Sequence, residues 1–236
     1  MNGRPIWPFA LLLVVWGNAV ALALGPTARL PGGSWAFVVA GVALIVTSLV
    51  AARTYGLRPA DLGLGPELGR ALRGAAIGAV TSAIAILLAV AAIRLAPIAL
   101  GRSIAYEPVG VVTPEELAWH LAFFLPIGAV LPEEIAFRGT LFGALAARYG
   151  GGAAIVGSAV TFALWHVSVI VPTSGSTTIG PPSPWAIPAM LGALAAVFGG
   201  GLLLAGLRRW TGTTASTIVA HWGFNALLLL ALRGLA

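Results

Sequence analysis

The stretch LPEEIAFRGTLFG, residues 131–143, places Glu133, Glu134 and Arg138 within six residues of a chain in which charge is otherwise scarce. Three histidines accompany them: His120, His166 at the end of FALWH, and His221 in HWGFN, with Asn225 four residues further on. A carboxylate or an imidazole can take a proton from water, and imidazole or amide N–H groups can hold a developing oxyanion. Those are the residue types that hydrolysis of an amide requires.

A second acidic pair, Glu115 and Glu116 in TPEELAWH, has a simpler explanation. Thr113 suits an N-cap, Pro114 the first helical position and Glu116 the third, which is the pattern of a capping box. Acids at a helix start also complement the helix dipole. Glu116 and His120, four apart, form a rival pair of metal-ligand type, but the capping box already accounts for the acid. Leu131 occupies the corresponding place before Glu133 and cannot cap.

Helical geometry divides the second pair. Neighbouring residues point about 100° apart, so Glu133 and Glu134 cannot both face one site. Glu134 and Arg138 are four apart with the acid N-terminal, the favourable order for an ion pair on one face. Glu133 is then the carboxylate without a partner. At membrane depth such a charge marks a functional site; at a wet helix start it would be an ordinary interfacial acid. His166, His221 and Asn225 in apolar stretches favour the former. His221 and Asn225 share a helix face, as do Phe162 and His166.

The elements that must position these groups are membrane helices. Of the 236 residues, 59% are hydrophobic and 8% charged, against about 25% charged in a soluble domain. Apolar runs at about 8–24, 34–52, 73–95, 115–130, 132–148, 151–171, 185–207 and 213–232 approach the roughly 20 residues of a spanning helix. The expected fold is all-α, a polytopic bundle of about eight transmembrane helices, because backbone groups must pair within the segment in hydrocarbon. The first run reads as an uncleaved membrane helix, with a signal peptide as the alternative. Small-residue stretches such as GGAAIVGSAV allow close helix contact. The thirteen basic residues are all arginine. Arginines at helix ends suit anionic lipid headgroups, so the net charge of +6 does not call for nucleic acid. The arginine-rich loop 53–74 is expected in the cytoplasm with the N-terminus. Strict alternation of eight spans would put loop 172–184 on the same side and bring Glu133, His166 and His221 to similar depth. The absence of cysteine excludes disulfides and thiolate metal sites.

EEIAFR, FALWH and HWGFN, in that order with apolar spans between them, resemble the three motifs of the CAAX prenyl protease 2-like family, also called the CAAX protease and bacteriocin-processing, or Abi, family. The resemblance runs from about 114 to 230, which divides the chain into N-terminal helices (1–112) and a catalytic core (113–236). It implies an intramembrane endopeptidase that processes CAAX-type proteins or peptides, with a protein or peptide substrate, prenylated in some members, reached among membrane lipids. By match, Glu133 and His166 would activate water, His221 and Asn225 would stabilise the oxyanion, and Glu134, Arg138 and Phe162 would support the site. No cofactor is favoured. The metal alternative is zinc on Glu133, His166 and His221, a His₂Glu set with a fourth position for water. The non-enzyme alternatives are a transporter and an immunity or scaffold protein of the same fold. The expected location is a multi-pass protein of a bacterial-type plasma membrane.

Overall fold

The computed structural model describes residues 4–28, 30, 32–101 and 103–234, with the backbone alone at 27, 99 and 100. They form an all-helical bundle whose outer faces are apolar: large side chains such as Leu11, Val39, Leu87 and Ile187 are exposed. Six helical segments among the described residues are long and apolar enough to cross a membrane. By that measure the chain is a multi-pass integral membrane protein.

We label the helices α1 (Trp7–Leu24), α2 (Trp35–Thr54), α3 (Leu68–Leu100), α4 (Pro114–Trp165), α5 (Val167–Gly175), α6 (Ala186–Thr211) and α7 (Thr214–Arg233). At 52 residues, α4 would extend about 78 Å if straight, far beyond the roughly 30 Å of hydrocarbon. It folds back on itself at Gly150 (φ 84°, ψ 167°), a conformation open to glycine. The two arms lie antiparallel: the Ser158 hydroxyl donates to the Phe137 carbonyl at 3.2 Å, and the Phe137 and Phe162 rings meet edge to face. The bundle of about eight spans is therefore present with a difference of detail. The expected spans 115–130 and 132–148 are successive parts of one arm, because the backbone stays helical through Val130 and Leu131 into the turn that holds Pro132.

That detail corrects the expected topology. One reversal fewer separates loop 53–74 from loop 172–184, and the two lie at opposite ends. The Gly63 carbonyl accepts from the Thr214 N–H and the Asp61 carbonyl from Arg208, so the first loop sits at the α6–α7 turn. The second loop instead pairs with the 103–107 segment through Glu107 N–H to Ser176 O and Ala105 N–H to Thr178 Oγ1. Charge follows the same division. Arg4, Arg53, Arg58, Arg70, Arg73, Arg148, Arg208 and Arg209 gather at the first end, against Arg94 and Arg233 among the described residues of the other. Exposed aromatics girdle both ends, Trp7, Tyr149 and Trp210 at the arginine-rich one and Trp35, Trp119 and Trp185 at the other. Amphipathic rings settle at the two interfaces of a bilayer.

Small residues bring the helices close. A Cβ on Gly78 or Gly74 of α3 would collide with Ser216 or Thr213 at α7, and one on Gly41 of α2 with Pro132 of α4. Such contacts let backbones approach where apolar burial gives no drive. The Thr140 hydroxyl donates to the Ser48 carbonyl, tying the motif helix to α2.

Candidate active site

The two acidic pairs differ in structure as in sequence. Thr113 and Glu116 make both bonds of a capping box, Glu116 N–H to Thr113 Oγ1 at 3.1 Å and Thr113 N–H to Glu116 Oε2 at 2.8 Å. His120 is buried nearby, and neither of its ring nitrogens has a hydrogen-bond partner among the described residues. It lies far along α4 from Glu133, and no bond joins the two.

Glu133 and Glu134 occupy a short α turn of the first arm, followed by a π-helical segment, Ile135–Leu141. Glu134 and Arg138 are fully buried and paired at 3.1 Å, as their spacing predicts. The Arg138 guanidinium lies over the Phe162 ring, 4.1 Å from its centre. That ring also stands 4.4 Å from the His166 ring centre and 5.9 Å from that of His221. Phe162 thus packs against the cation and both imidazoles.

Glu133 Oε2 is buried and accepts no hydrogen bond from the described residues. His166 Nε2 lies 3.9 Å from it and His221 Nε2 4.0 Å. These separations exceed hydrogen-bond length, yet three side chains from the two arms of α4 and from α7 converge on one point. The second ring nitrogens set the tautomers. His166 Nδ1 lies 2.8 Å from the Phe162 carbonyl and His221 Nδ1 2.8 Å from Glu134 Oε1. A carbonyl and a carboxylate only accept, so both Nδ1 atoms carry hydrogen and, in the neutral rings, both Nε2 atoms turn a lone pair toward Glu133. Asn225 sits one turn beyond His221 on α7, half-buried, and makes no side-chain hydrogen bond among the described residues.

Lone pairs aimed at one point are the right donor type for a metal ion, but the spacing is wide. Ligands about 2.0–2.1 Å from a tetrahedral zinc stand roughly 3.3 Å from one another, against 3.9 and 4.0 Å here. No group of three side chains spaced to hold a metal occurs among the described residues. As arranged, the three side chains stand wider apart than tetrahedral zinc ligands do.

Two neighbours of the site escape sequence reasoning. Trp165 lies beside the Glu133 carboxylate. Asn18 of α1 bonds both sides of the backbone at His166. A lone amide in an apolar span was the available signal for Asn18. Trp165 offered none, because tryptophan is ordinary in such a helix.

The model of the family described as type II CAAX prenyl endopeptidase Rce1-like matches residues 114–227. This part of the chain is similar to that family. The match spans just under half of the sequence, and Glu133, Glu134, Arg138, Phe162, His166, His221 and Asn225 all fall within it. No curated protein and no solved structure matches the chain.

Proposed function

We propose that the protein is an intramembrane endopeptidase of the CAAX-processing type, in which Glu133 and His166 activate a water. The observation that carries this reading is the convergence of both Nε2 atoms on the unbonded Glu133 oxygen. The Rce1-like match supports the reaction class.

In the proposed reaction a water gives a proton to Glu133, with His166 Nε2 as the neighbouring acceptor. The water oxygen bonds to the scissile carbonyl carbon, and the carbonyl electrons move onto oxygen. The Asn225 amide can donate to that oxyanion. His221, whose Nδ1–H is held by Glu134, can donate from Nε2 only as an imidazolium. Each such donor in a poorly solvated site is worth about 3–4 kcal/mol. The C–N bond then breaks as the proton passes from Glu133 to the leaving amine. A metal-free glutamate mechanism is the form that the donor spacing supports.

The arginine-rich end is the cytoplasmic one by the positive-inside rule. His221 lies seven residues into α7 from that end, or about 10 Å, which supports a site in the cytoplasmic half. A bacterial-type plasma membrane is the proposed setting, and a protein or peptide, prenylated or not, is the proposed substrate.

The test uses the full chain in lipid nanodiscs with a farnesylated CAAX peptide and its unprenylated twin. The wild type should release the C-terminal tripeptide, and Glu133→Gln and His166→Ala should not. Cleavage that survives Glu133→Gln refutes the reading. Absence of cleavage in the wild type, with identical peptide profiles in membranes carrying wild-type or Glu133→Gln protein, would favour a non-catalytic role.

A further inference from the structure

The second arm of α4 does not run smoothly into α5. His166 takes φ −90°, ψ 0° between them, and its N–H bonds to the Ala163 carbonyl, three residues back. A break of this kind parts the four-residue hydrogen bond that would have joined the Leu164 carbonyl to the Ser168 N–H. Backbone groups left unpaired in hydrocarbon are costly.

Asn18 of α1 fills the gap. Its amide nitrogen donates to the Leu164 carbonyl at 2.9 Å, and its carbonyl oxygen accepts from the Ser168 N–H at 2.8 Å. The two groups parted at His166 are thus rejoined through one side chain from the other end of the sequence. The same nitrogen also bonds the Val14 carbonyl in its own helix, which limits where the amide can swing. Beside it, Gly17 faces the Trp165 ring, and a Cβ at that position would collide with the indole. α1 is therefore fitted to the residues on either side of the break.

We propose that Asn18 is a positioning residue for His166: by holding the helix open at that point it sets the imidazole opposite Glu133. The proposal rests on the hydrolytic role of His166, and it places part of the site's support outside the region that the family match covers. Asn18 itself does not touch the reacting atoms.

The experiment compares the wild type, Asn18→Ala, Asn18→Leu, Asn18→Gln and the control Thr47→Ala in nanodiscs. Thr47 bonds only to a carbonyl one turn back in α2. Amide exchange over residues 164–170 should quicken by about tenfold or more in the Ala and Leu variants, with turnover of the farnesylated peptide down about tenfold and KM within about threefold. Asn18→Gln, which keeps the amide on a longer arm, should retain more turnover than either, and Thr47→Ala should match the wild type. Exchange within about twofold of wild type in Asn18→Ala means that the brace does not exist and overturns the proposal. Faster exchange with unchanged turnover overturns the positioning role. If His166→Ala itself turns over normally, the hydrolytic reading fails, while the exchange result still decides whether the brace is real. Should the peptide not be a substrate, the imidazole ¹⁵N signals of His166, identified by their loss in His166→Gln, take the place of turnover: a shift in Asn18→Ala supports positioning and an unchanged signal refutes it.

Discussion

His221 Nδ1 lies 2.8 Å from Glu134 Oε1, the same oxygen that accepts from Arg138 at 3.1 Å. One carboxylate oxygen thus anchors a cation on its own helix and an imidazole from α7. Glu134 is therefore more than the counter-ion of Arg138, since it also fixes which nitrogen of His221 faces Glu133.

Two roles on one carboxylate can be separated by a double-mutant cycle. Glu134→Gln strands a buried guanidinium, and breaking a buried pair from one side costs about 3–5 kcal/mol. Melting temperature in detergent should fall accordingly. Adding Arg138→Gln should recover part of that stability because the orphaned charge is gone. Activity should not return with it, since His221 still lacks its carboxylate. Full recovery of both would show that the His221 contact is dispensable.

Glu133→Gln should behave in the opposite way. Its carboxylate oxygen is buried without a hydrogen-bond partner among the described residues, and an uncompensated polar group weakens a fold. The substitution should leave melting temperature unchanged or raise it, while hydrolysis falls by about 10²-fold or more. A loss of stability as large as that of Glu134→Gln would mean that the two roles have been exchanged.

Prolonged treatment with a strong zinc chelator should leave activity intact. The separations of 3.9 and 4.0 Å between the histidine nitrogens and Glu133 Oε2 are wider than tetrahedral zinc requires. Activity lost to the chelator and restored by stoichiometric zinc would show that the trio closes around a metal.

The opposed loops can be labelled directly, because the chain has no native cysteine. Leu64→Cys and Ser176→Cys should react with an impermeant reagent from opposite sides of the membrane, Leu64→Cys from the cytoplasm. Reaction of both from one side would contradict the placement of the two loops at opposite ends.

Local patterns were readable and distant ones were not. The capping box at Thr113 and the Glu134–Arg138 pair follow from three- and four-residue spacing, which a helix imposes whatever surrounds it. The meeting of Glu133, His166 and His221 was expected from their rarity in apolar sequence and from strict alternation of eight spans; the structure brings them together with one reversal fewer. The bond between His221 and Glu134 joins residues 87 apart, and that between Asn18 and Ser168 residues 150 apart; helical periodicity carries no such information. The sequence also suggested a break near Pro132, where the helical backbone in fact runs on through the proline. The reversal at Gly150 falls where the sequence expects one, between the spans 132–148 and 151–171.

The first arm of α4 contains three π-helical segments, His120–Phe124, Pro126–Val130 and Ile135–Leu141. A five-residue hydrogen-bond step holds one residue more than an α turn, so this arm is longer in sequence than in space. The last of the three lies directly after the two glutamates. Were it to tighten by one residue, the N-terminal part of the arm would rotate by about 100° relative to the part beyond Leu141, carrying Glu133 off the histidines with no side chain altered. The site therefore depends on angular phase as much as on residue identity, and the spacing between Glu134 and Leu141 is as exacting a requirement as the carboxylates themselves.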